Sequence, residues 1–304
     1  MVEPFVVIFL GILSGYIFAY FYKERKSFDK ALNDYLYYIA LPITIFLKIF
    51  SSKIVGAGLN IILINSIPIL FIYILVYIFY RFSLFTPSFA RTLIIASTLG
   101  NLVYLGFNLV GFTYGERAIA YAAVSVAIQN IVIFSFGVFF LNSICYEDSY
   151  IVIGIKKSLL NPIFLSTLAG FSFNLFSLKL PQYINLLFEQ ISKTTLPLSI
   201  FLIGVSLYGK KLNLSYIKKV IIIFFFKAFV LPFVAFLVIY LLGYYNINSA
   251  ISFLLYTMPL AVACYVVARD FELELDVVSG SIFFTTLAYF VVYWLYSYIL
   301  KIFF

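Results

Sequence analysis

Two short polar segments interrupt otherwise apolar stretches of the chain, and they carry residue types from which a ligand site could be built. The first has two glycines and two asparagines close together: Gly100, Asn101, Gly106 and Asn108. The second contains Pro259. Glycine weakens a helix, proline removes a backbone donor, and asparagine can hydrogen-bond to freed backbone groups or to a ligand. Both segments therefore predict helix breaks, whose free N–H groups favour an anion and whose free carbonyl groups are acceptors.

Three further polar residues lie deep in apolar stretches. Gln129 and Asn130 lie midway through an apolar stretch, a position that is costly for unpaired amides, so each needs a partner. An interhelical hydrogen bond is one way to supply it. Lys227 follows Lys219 by eight residues, which is about 12 Å of helix against a half-membrane of roughly 15 Å. Its partner is either an anionic substrate or a backbone carbonyl at a break, unless the side chain reaches the interface.

The composition indicates that these residues sit in a membrane. Hydrophobic residues make up 64% of the 304 residues and charged residues 11%, which is too little charge to cover a soluble domain. The sequence contains no histidine, which excludes histidine-based metal sites and catalytic triads. Its two cysteines, Cys145 and Cys264, are too far apart to indicate a disulfide framework. We expect neither a metal nor a resident cofactor.

Ten transmembrane spans of about 20 residues each are predicted: 4–22, 31–50, 59–80, 89–111, 118–141, 161–178, 188–208, 219–241, 250–268 and 279–300. The first is interpreted as a span and not as a cleaved signal, because no basic region precedes it. The odd-numbered loops carry thirteen Lys and Arg residues and the opposite side four. This bias places the odd loops in the cytoplasm and both termini outside the cell. The net charge of +8 is therefore a topology signal, and a nucleic-acid partner is not expected.

A repeated segment shows that the chain consists of two related halves. Leu41-Pro42-Ile43-Thr44-Ile45-Phe46-Leu47 returns 155 positions later as Leu196-Pro197-Leu198-Ser199-Ile200-Phe201-Leu202. Three pairs of prolines occur at matched places: Pro4 and Pro162, Pro42 and Pro197, Pro68 and Pro232. Five spans per half is an odd number, so the halves must cross the membrane in opposite senses. The predicted organisation is a first repeat at 1–145, a central cytoplasmic loop at 146–160 and a second, inverted repeat at 161–304.

The chain resembles the auxin efflux carrier family along essentially its whole length. The resemblance rests on the order and spacing of weak motifs: Leu41-Pro42, Gly100-Asn101 to Gly106, Asn161-Pro162 with Gly170, Pro197 with Leu202 to Leu207, and Met258-Pro259 with Ala268. It implies an all-α membrane fold similar to that of sodium/proton antiporters. Spans 1, 2, 6 and 7 would form a scaffold and spans 3–5 and 8–10 a transport domain, with broken helices 4 and 9 crossing near the substrate and elevator-type movement.

One departure from the family pattern concerns the first crossing. The family usually has proline two residues after the glycine that corresponds to Gly106, whereas this chain has Asn108. The break in span 4 is therefore expected to be less sharp, or Asn108 to serve the substrate. The resemblance also implies that span 5 faces the crossing, so Gln129 or Asn130 is predicted to contact the substrate or the break in span 4. The predicted substrate residues are Asn101, Asn108, Gln129, Asn130 and Pro259, with Lys227 as a charge partner. Gly100 and Gly106 are predicted to shape the break, and Pro42 and Pro197 the scaffold.

The function predicted from these features is secondary transport of a small organic anion, a carboxylate or auxin-like compound, across the cell membrane. A channel or a membrane-embedded sensor is the alternative. An intramembrane enzyme is disfavoured because the chain lacks histidine, paired intramembrane aspartates and a Gly-x-Ser-x-Gly elbow. Coupling to Na⁺, coupling to H⁺ and uniport all remain open. The expected partners are the substrate, the lipid bilayer and, as a hypothesis, a second copy in a homodimer.

Overall fold

The computed structural model describes residues 2–51, 58–145, 162–209 and 214–304. The predicted central loop at 146–160 and Asn161 lie outside the described residues. The described chain folds into helices, which we number in order: α1 Val2–Phe21, α2 Arg25–Tyr35, α3 Leu41–Phe50, α4 Leu59–Arg81, α5 Pro87–Thr98, α6 Phe107–Tyr114, α7 Ala118–Cys145, α8 Pro162–Leu175, α9 Gln182–Leu207, α10 Ile217–Phe225, α11 Leu231–Leu242, α12 Ile247–Tyr256, α13 Cys264–Asp270 and α14 Leu275–Phe303.

The expectation of an all-helical membrane protein is confirmed. Within the described residues, five continuous helical segments are long and apolar enough to cross a membrane, and they lie on predicted spans 3, 5, 7, 8 and 10: Leu59–Arg81, Ala118–Leu141, Gln182–Leu207, Ile217–Leu242 and Leu275–Phe303. Shorter apolar helices include Phe9–Phe21, Leu102–Tyr114 and Ile247–Tyr256. Large apolar side chains such as Phe9, Phe71 and Val291 are exposed, which suits a surface that faces lipid.

The chain divides into two compact units. The first comprises Met1–Gly56, Val103–Ala127 and Leu159–Gly209, and the second comprises Ala57–Leu102, Ile128–Ser158 and Lys210–Phe304. Each unit draws helices from both halves of the sequence. The related halves therefore do not fold as separate domains.

In the first unit, α1 packs against α9 and α3 packs against α8. The backbones of α1 and α9 touch: a Cβ added to Gly15 would lie 2.0 Å from the Phe201 carbonyl oxygen, and one added to Gly204 would lie 1.9 Å from that of Ile12. On α8, a Cβ at Gly170 would meet α3 at 2.9 Å. Small residues allow this close approach between helices in a membrane, where packing replaces the hydrophobic effect.

Prolines lie within several of the longer helical stretches. Pro42 and Pro232 are the second residues of α3 and α11, and a wide π-helical turn precedes each, at Leu36–Ala40 and Phe226–Val230. A proline lacks the N–H and its ring crowds the carbonyl one turn earlier, so a locally widened turn relieves the clash. Pro197 and Pro68 lie inside α9 and α4.

In the second unit, buried tyrosines hydrogen-bond to carbonyls one turn before prolines. Pro68 cannot donate to the Ile64 carbonyl, and the Tyr256 hydroxyl donates to that oxygen at 3.1 Å. The carbonyl four residues before Pro232, that of Ala228, accepts from the hydroxyl of Tyr296 in the same way. These bonds satisfy backbone carbonyl groups that are buried away from water.

Candidate functional site

The helix of predicted span 4 is interrupted well before Asn108. Helix α5 ends at Thr98, and Leu99 leaves the helical conformation with φ −74° and ψ 88°. A π-helical turn at Leu102–Gly106 then leads directly into α6, so the helix continues through Gly106. The break therefore forms at residues 99–101 without a proline. Gly100 suits it because a Cβ there would lie 2.9 Å from the Leu102 side chain.

The helix of predicted span 9 is interrupted at the proline. Helix α12 ends at Tyr256 and α13 begins at Cys264. Pro259 lies between them and cannot donate a backbone hydrogen bond. At the end of α12 the Leu254 carbonyl accepts from both the Thr257 hydroxyl, at 2.7 Å, and the Thr257 N–H, at 3.2 Å.

The two interruptions pair with each other in an antiparallel bridge between Gly100 and Leu260. The Asn101 N–H donates to the Pro259 carbonyl at 2.7 Å, and the Ala261 N–H donates to the Leu99 carbonyl at 3.0 Å. We call residues 99–101 and 258–261 together the crossing. Backbone groups that each break would leave unpaired are satisfied by the other break, which lets both persist inside a membrane.

Lys227 lies against the crossing. Its side chain is 1% exposed, and its Nζ lies 3.4 Å from the Thr98 carbonyl oxygen, where α5 ends. The Nζ is also 3.0 Å from the position that a Cβ on Gly100 would take. An ammonium is favoured at this end of a helix because the unpaired carbonyls carry partial negative charge. Residue counting predicted the depth of Lys227, and a carbonyl at a break was one of its two predicted partners.

Several hydrogen-bonding groups near the crossing have spare capacity. Asn101 is 3% exposed, and its Nδ2 has no hydrogen-bond partner among the described residues. The same is true of the Ser281 hydroxyl on α14, one turn before Thr285, whose hydroxyl accepts from the Leu260 N–H at 3.2 Å. A lysine ammonium has three N–H donors, and one carbonyl at 3.4 Å uses only one of them. A charged donor and a neutral amide donor with free capacity match the requirements of a carboxylate.

Gln129 belongs to a separate cluster of amides. Its Nε2 donates to the Asn65 Oδ1 at 2.8 Å, and the Asn65 Nδ2 donates to the Ser252 hydroxyl at 3.0 Å and the Ile61 carbonyl at 2.9 Å. We call Asn65, Gln129 and Ser252 the amide cluster. It provides the interhelical hydrogen bond that was the alternative interpretation of Gln129. Asn130 is half-buried beside it in sequence.

Asn108 lies in the first unit. Its Nδ2 donates to the Tyr104 carbonyl at 2.6 Å and to the Ser199 hydroxyl at 3.0 Å. Ser199 occupies the place in the second repeated segment that Thr44 occupies in the first, and Thr44 is hydrogen-bonded to Thr195 at 2.9 Å. The structure thus groups Gly100, Asn101, Pro259 and Lys227, and puts Asn108 in a different polar environment.

Sequence reasoning missed Thr98 and Ser281. Thr98 contributes the carbonyl beside Lys227, and its hydroxyl contacts that of Tyr73 at 3.2 Å. Hydroxyl side chains in membrane helices commonly bond to their own backbone, as Thr98 also does to Ile94 at 2.9 Å. The presence of a hydroxyl side chain in an apolar stretch therefore does not by itself indicate a functional residue. The run Ser279-Gly280-Ser281 in an apolar helix was the visible clue to Ser281.

Several helices that are long and apolar enough to cross a membrane are typical of a multi-pass membrane protein. A family model described as membrane transport protein matches residues 1–297. The chain therefore belongs to this auxin efflux carrier-like family of membrane transport proteins, which confirms the resemblance. It is also 27% identical over 294 residues to an uncharacterized transporter of Methanocaldococcus jannaschii, with 92% of each chain covered.

Proposed function

We propose that the protein is a secondary transporter that moves a small organic anion, a carboxylate or auxin-like compound, across the cell membrane. The observation that carries this proposal is the Lys227 side chain beside a paired helix break. The same break holds the Asn101 amide, a donor without a partner among the described residues. Broken helices that meet inside the membrane are the usual place for substrate in transporters built from repeats. A carboxylate would accept from both groups and would compensate the charge of Lys227.

We further propose ten spans in two inverted repeats. The helix pairs of the first unit support this arrangement, because α1 packs on α9 while α3 packs on α8. In terms of predicted spans, the first contacts the seventh and the second contacts the sixth. A two-fold axis in the membrane plane exchanges these two pairs, since spans 6 and 7 repeat spans 1 and 2. The charge bias of the loops supports a cytoplasmic central loop and extracellular termini.

The proposed mechanism is elevator-type alternating access. Spans 1, 2, 6 and 7 would form the scaffold, and spans 3–5 and 8–10 the transport domain. All four proposed scaffold spans fall in the first compact unit, and so do Val103–Ala127 from spans 4 and 5. The crossing and Lys227 fall in the second unit, so the charged part of the site would travel with the mobile domain.

Flux through purified protein in proteoliposomes tests the proposal. A thermal-shift screen of carboxylates, amino acids and indole compounds would first supply a ligand, since one at 100 times its Kd stabilises the protein by about 2.7 kcal/mol. A carrier is expected to show saturable uptake that accelerates when unlabelled ligand is present inside. Unsaturated conductance without counterflow would indicate a channel and reject the proposal. Binding without any flux would indicate a sensor.

A further inference from the structure

A buried lysine lies against the crossing, and the question is which group compensates its charge. Lys227 is fully buried and contacts one backbone carbonyl. Among the described side chains, no aspartate or glutamate forms an ion pair with it. Lys219, eight residues earlier in the same continuous helical segment, does have such a partner: its Nζ lies 2.6 Å from the Glu274 carboxylate. In its protonated form Lys227 therefore gives the crossing one positive charge that the described residues do not neutralise.

An uncompensated charge at membrane depth is unfavourable, and the carbonyl end of α5 offsets it only in part. A bound monoanion would bring the site to zero charge. A dianion would leave one negative charge and a neutral molecule one positive charge, and either would be buried without a partner. The polar side chains of Asn101, in the crossing, and of Thr285, which bonds to the Leu260 N–H, are neutral. They can orient a ligand, but they cannot change the net charge of the site.

We propose that Lys227 selects singly charged carboxylates and makes the loaded site electrically neutral, so that no co-transported cation is needed. This inference rests on the proposed function and specifies its substrate class and charge balance. One carboxylate oxygen would accept from the Lys227 ammonium, and the Asn101 amide would donate to the carboxylate group. The loaded transport domain would cross the membrane without moving net charge, whereas the empty domain would carry the lysine charge back.

Binding to purified protein in detergent tests the charge count without knowledge of the natural substrate. The probes are acetate, its neutral isostere acetamide and the dianion malonate, supplied as choline salts in sodium-free buffer at matched ionic strength with choline chloride as reference. Acetate is expected to raise the thermal midpoint of the wild type clearly above the chloride reference, whereas acetamide and malonate are not. K227M is expected to lose the acetate response and K227R to keep part of it. K193M, which removes an exposed lysine on α9, is the matched control and should behave as wild type.

Four results would overturn the inference: acetate no better than chloride in the wild type, an undiminished acetate response in K227M, malonate equal to acetate, or a strict requirement for sodium. If K227M does not fold, K227Q replaces it, because glutamine keeps a donor and removes the charge.

Flux measurements separate this inference from the proposed function. With a transported monocarboxylate, counterflow by the wild type is expected to be unchanged by an imposed potassium diffusion potential, while net flux responds to it. K227M should reduce counterflow at least tenfold. Absence of all flux in a wild type that still binds acetate would reject transport and leave the charged site intact. Full counterflow in K227M would reject the role of Lys227 and leave transport intact.

Discussion

The second unit contains two groups of buried polar side chains that differ in how completely they are hydrogen-bonded. In the amide cluster, the Asn65 Nδ2 donates to two acceptors while its Oδ1 accepts from Gln129. At the crossing, the Asn101 Nδ2 has no described partner and the Lys227 ammonium has one carbonyl at 3.4 Å. Both groups are equally buried. Spare hydrogen-bonding capacity, and not burial, therefore distinguishes the crossing from the amide cluster.

The largest effect on transport among the neutral residues is expected from Asn101→Ala. The substitution removes a donor to a charged ligand, a bond worth about 1.5–3 kcal/mol, and should lower counterflow at least about tenfold. The thermal midpoint without ligand should not fall, because the amide nitrogen has no described partner to lose. Asn185→Ala, which removes an exposed amide on α9 that bonds to Glu189, is the control and should transport normally. Normal flux in Asn101→Ala would remove this residue from the site.

At the amide cluster, a substitution is expected to lower stability and to leave transport unchanged. Asn65→Leu should lower the free energy of unfolding by about 1–3 kcal/mol, because it leaves the buried Gln129 amide without its acceptor. Unfolding in detergent measures this loss, and counterflow per folded molecule should stay near the wild-type rate. Adding Gln129→Leu should cost less than the two single substitutions together, since the unpaired amide is then gone. A strong loss of turnover in folded Asn65→Leu would show that the cluster takes part in transport.

The amino-acid sequence predicts the places where helices break better than it predicts what the polar residues touch. Glycine and proline act on their own backbone, so Gly100 and Pro259 indicated both interruptions locally. Because position 108 is not a proline, the sequence predicted a substrate role for Asn108 or a less sharp first break. There the break forms at Leu99, stabilised by bonds to residues 259 and 261 of the other half.

Partners of buried polar groups are long-range and leave no local pattern. Gln129 bonds to a residue 64 positions away, and the Lys227 ammonium meets a carbonyl 129 positions away. The depth of both residues could be counted along their helices. Whether a deep amide meets another amide or stays free depends on how the helices pack, which a single sequence does not reveal.

A third substitution, Asn108→Ala, is expected to lower counterflow less than Asn101→Ala and more than Asn65→Leu. The amide of Asn108 already donates to the Tyr104 carbonyl and the Ser199 hydroxyl, so it resembles the amide cluster more than the crossing. Counterflow is expected to fall about threefold, clearly less than in Asn101→Ala, through loosened packing worth about 0.6 kcal/mol. Ser199→Ala should give a similar loss. A defect as large as that of Asn101→Ala, with Ser199→Ala normal, would instead place Asn108 in contact with substrate.

The smallest effect is expected from Tyr256→Phe, which tests whether a fully used hydrogen bond acts on stability alone. The Tyr256 hydroxyl donates to the Ile64 carbonyl. Pro68 lies one turn later but has no N–H and therefore cannot donate to that carbonyl. Its removal should cost about 0.6 kcal/mol, the average for an interhelical hydrogen bond in a membrane, with transport unchanged. In a Pro68→Ala background the restored N–H of residue 68 can donate to Ile64, so Tyr256→Phe should cost less there. An equal cost in both backgrounds would show that the hydroxyl stabilises the unit by packing and not by satisfying the carbonyl.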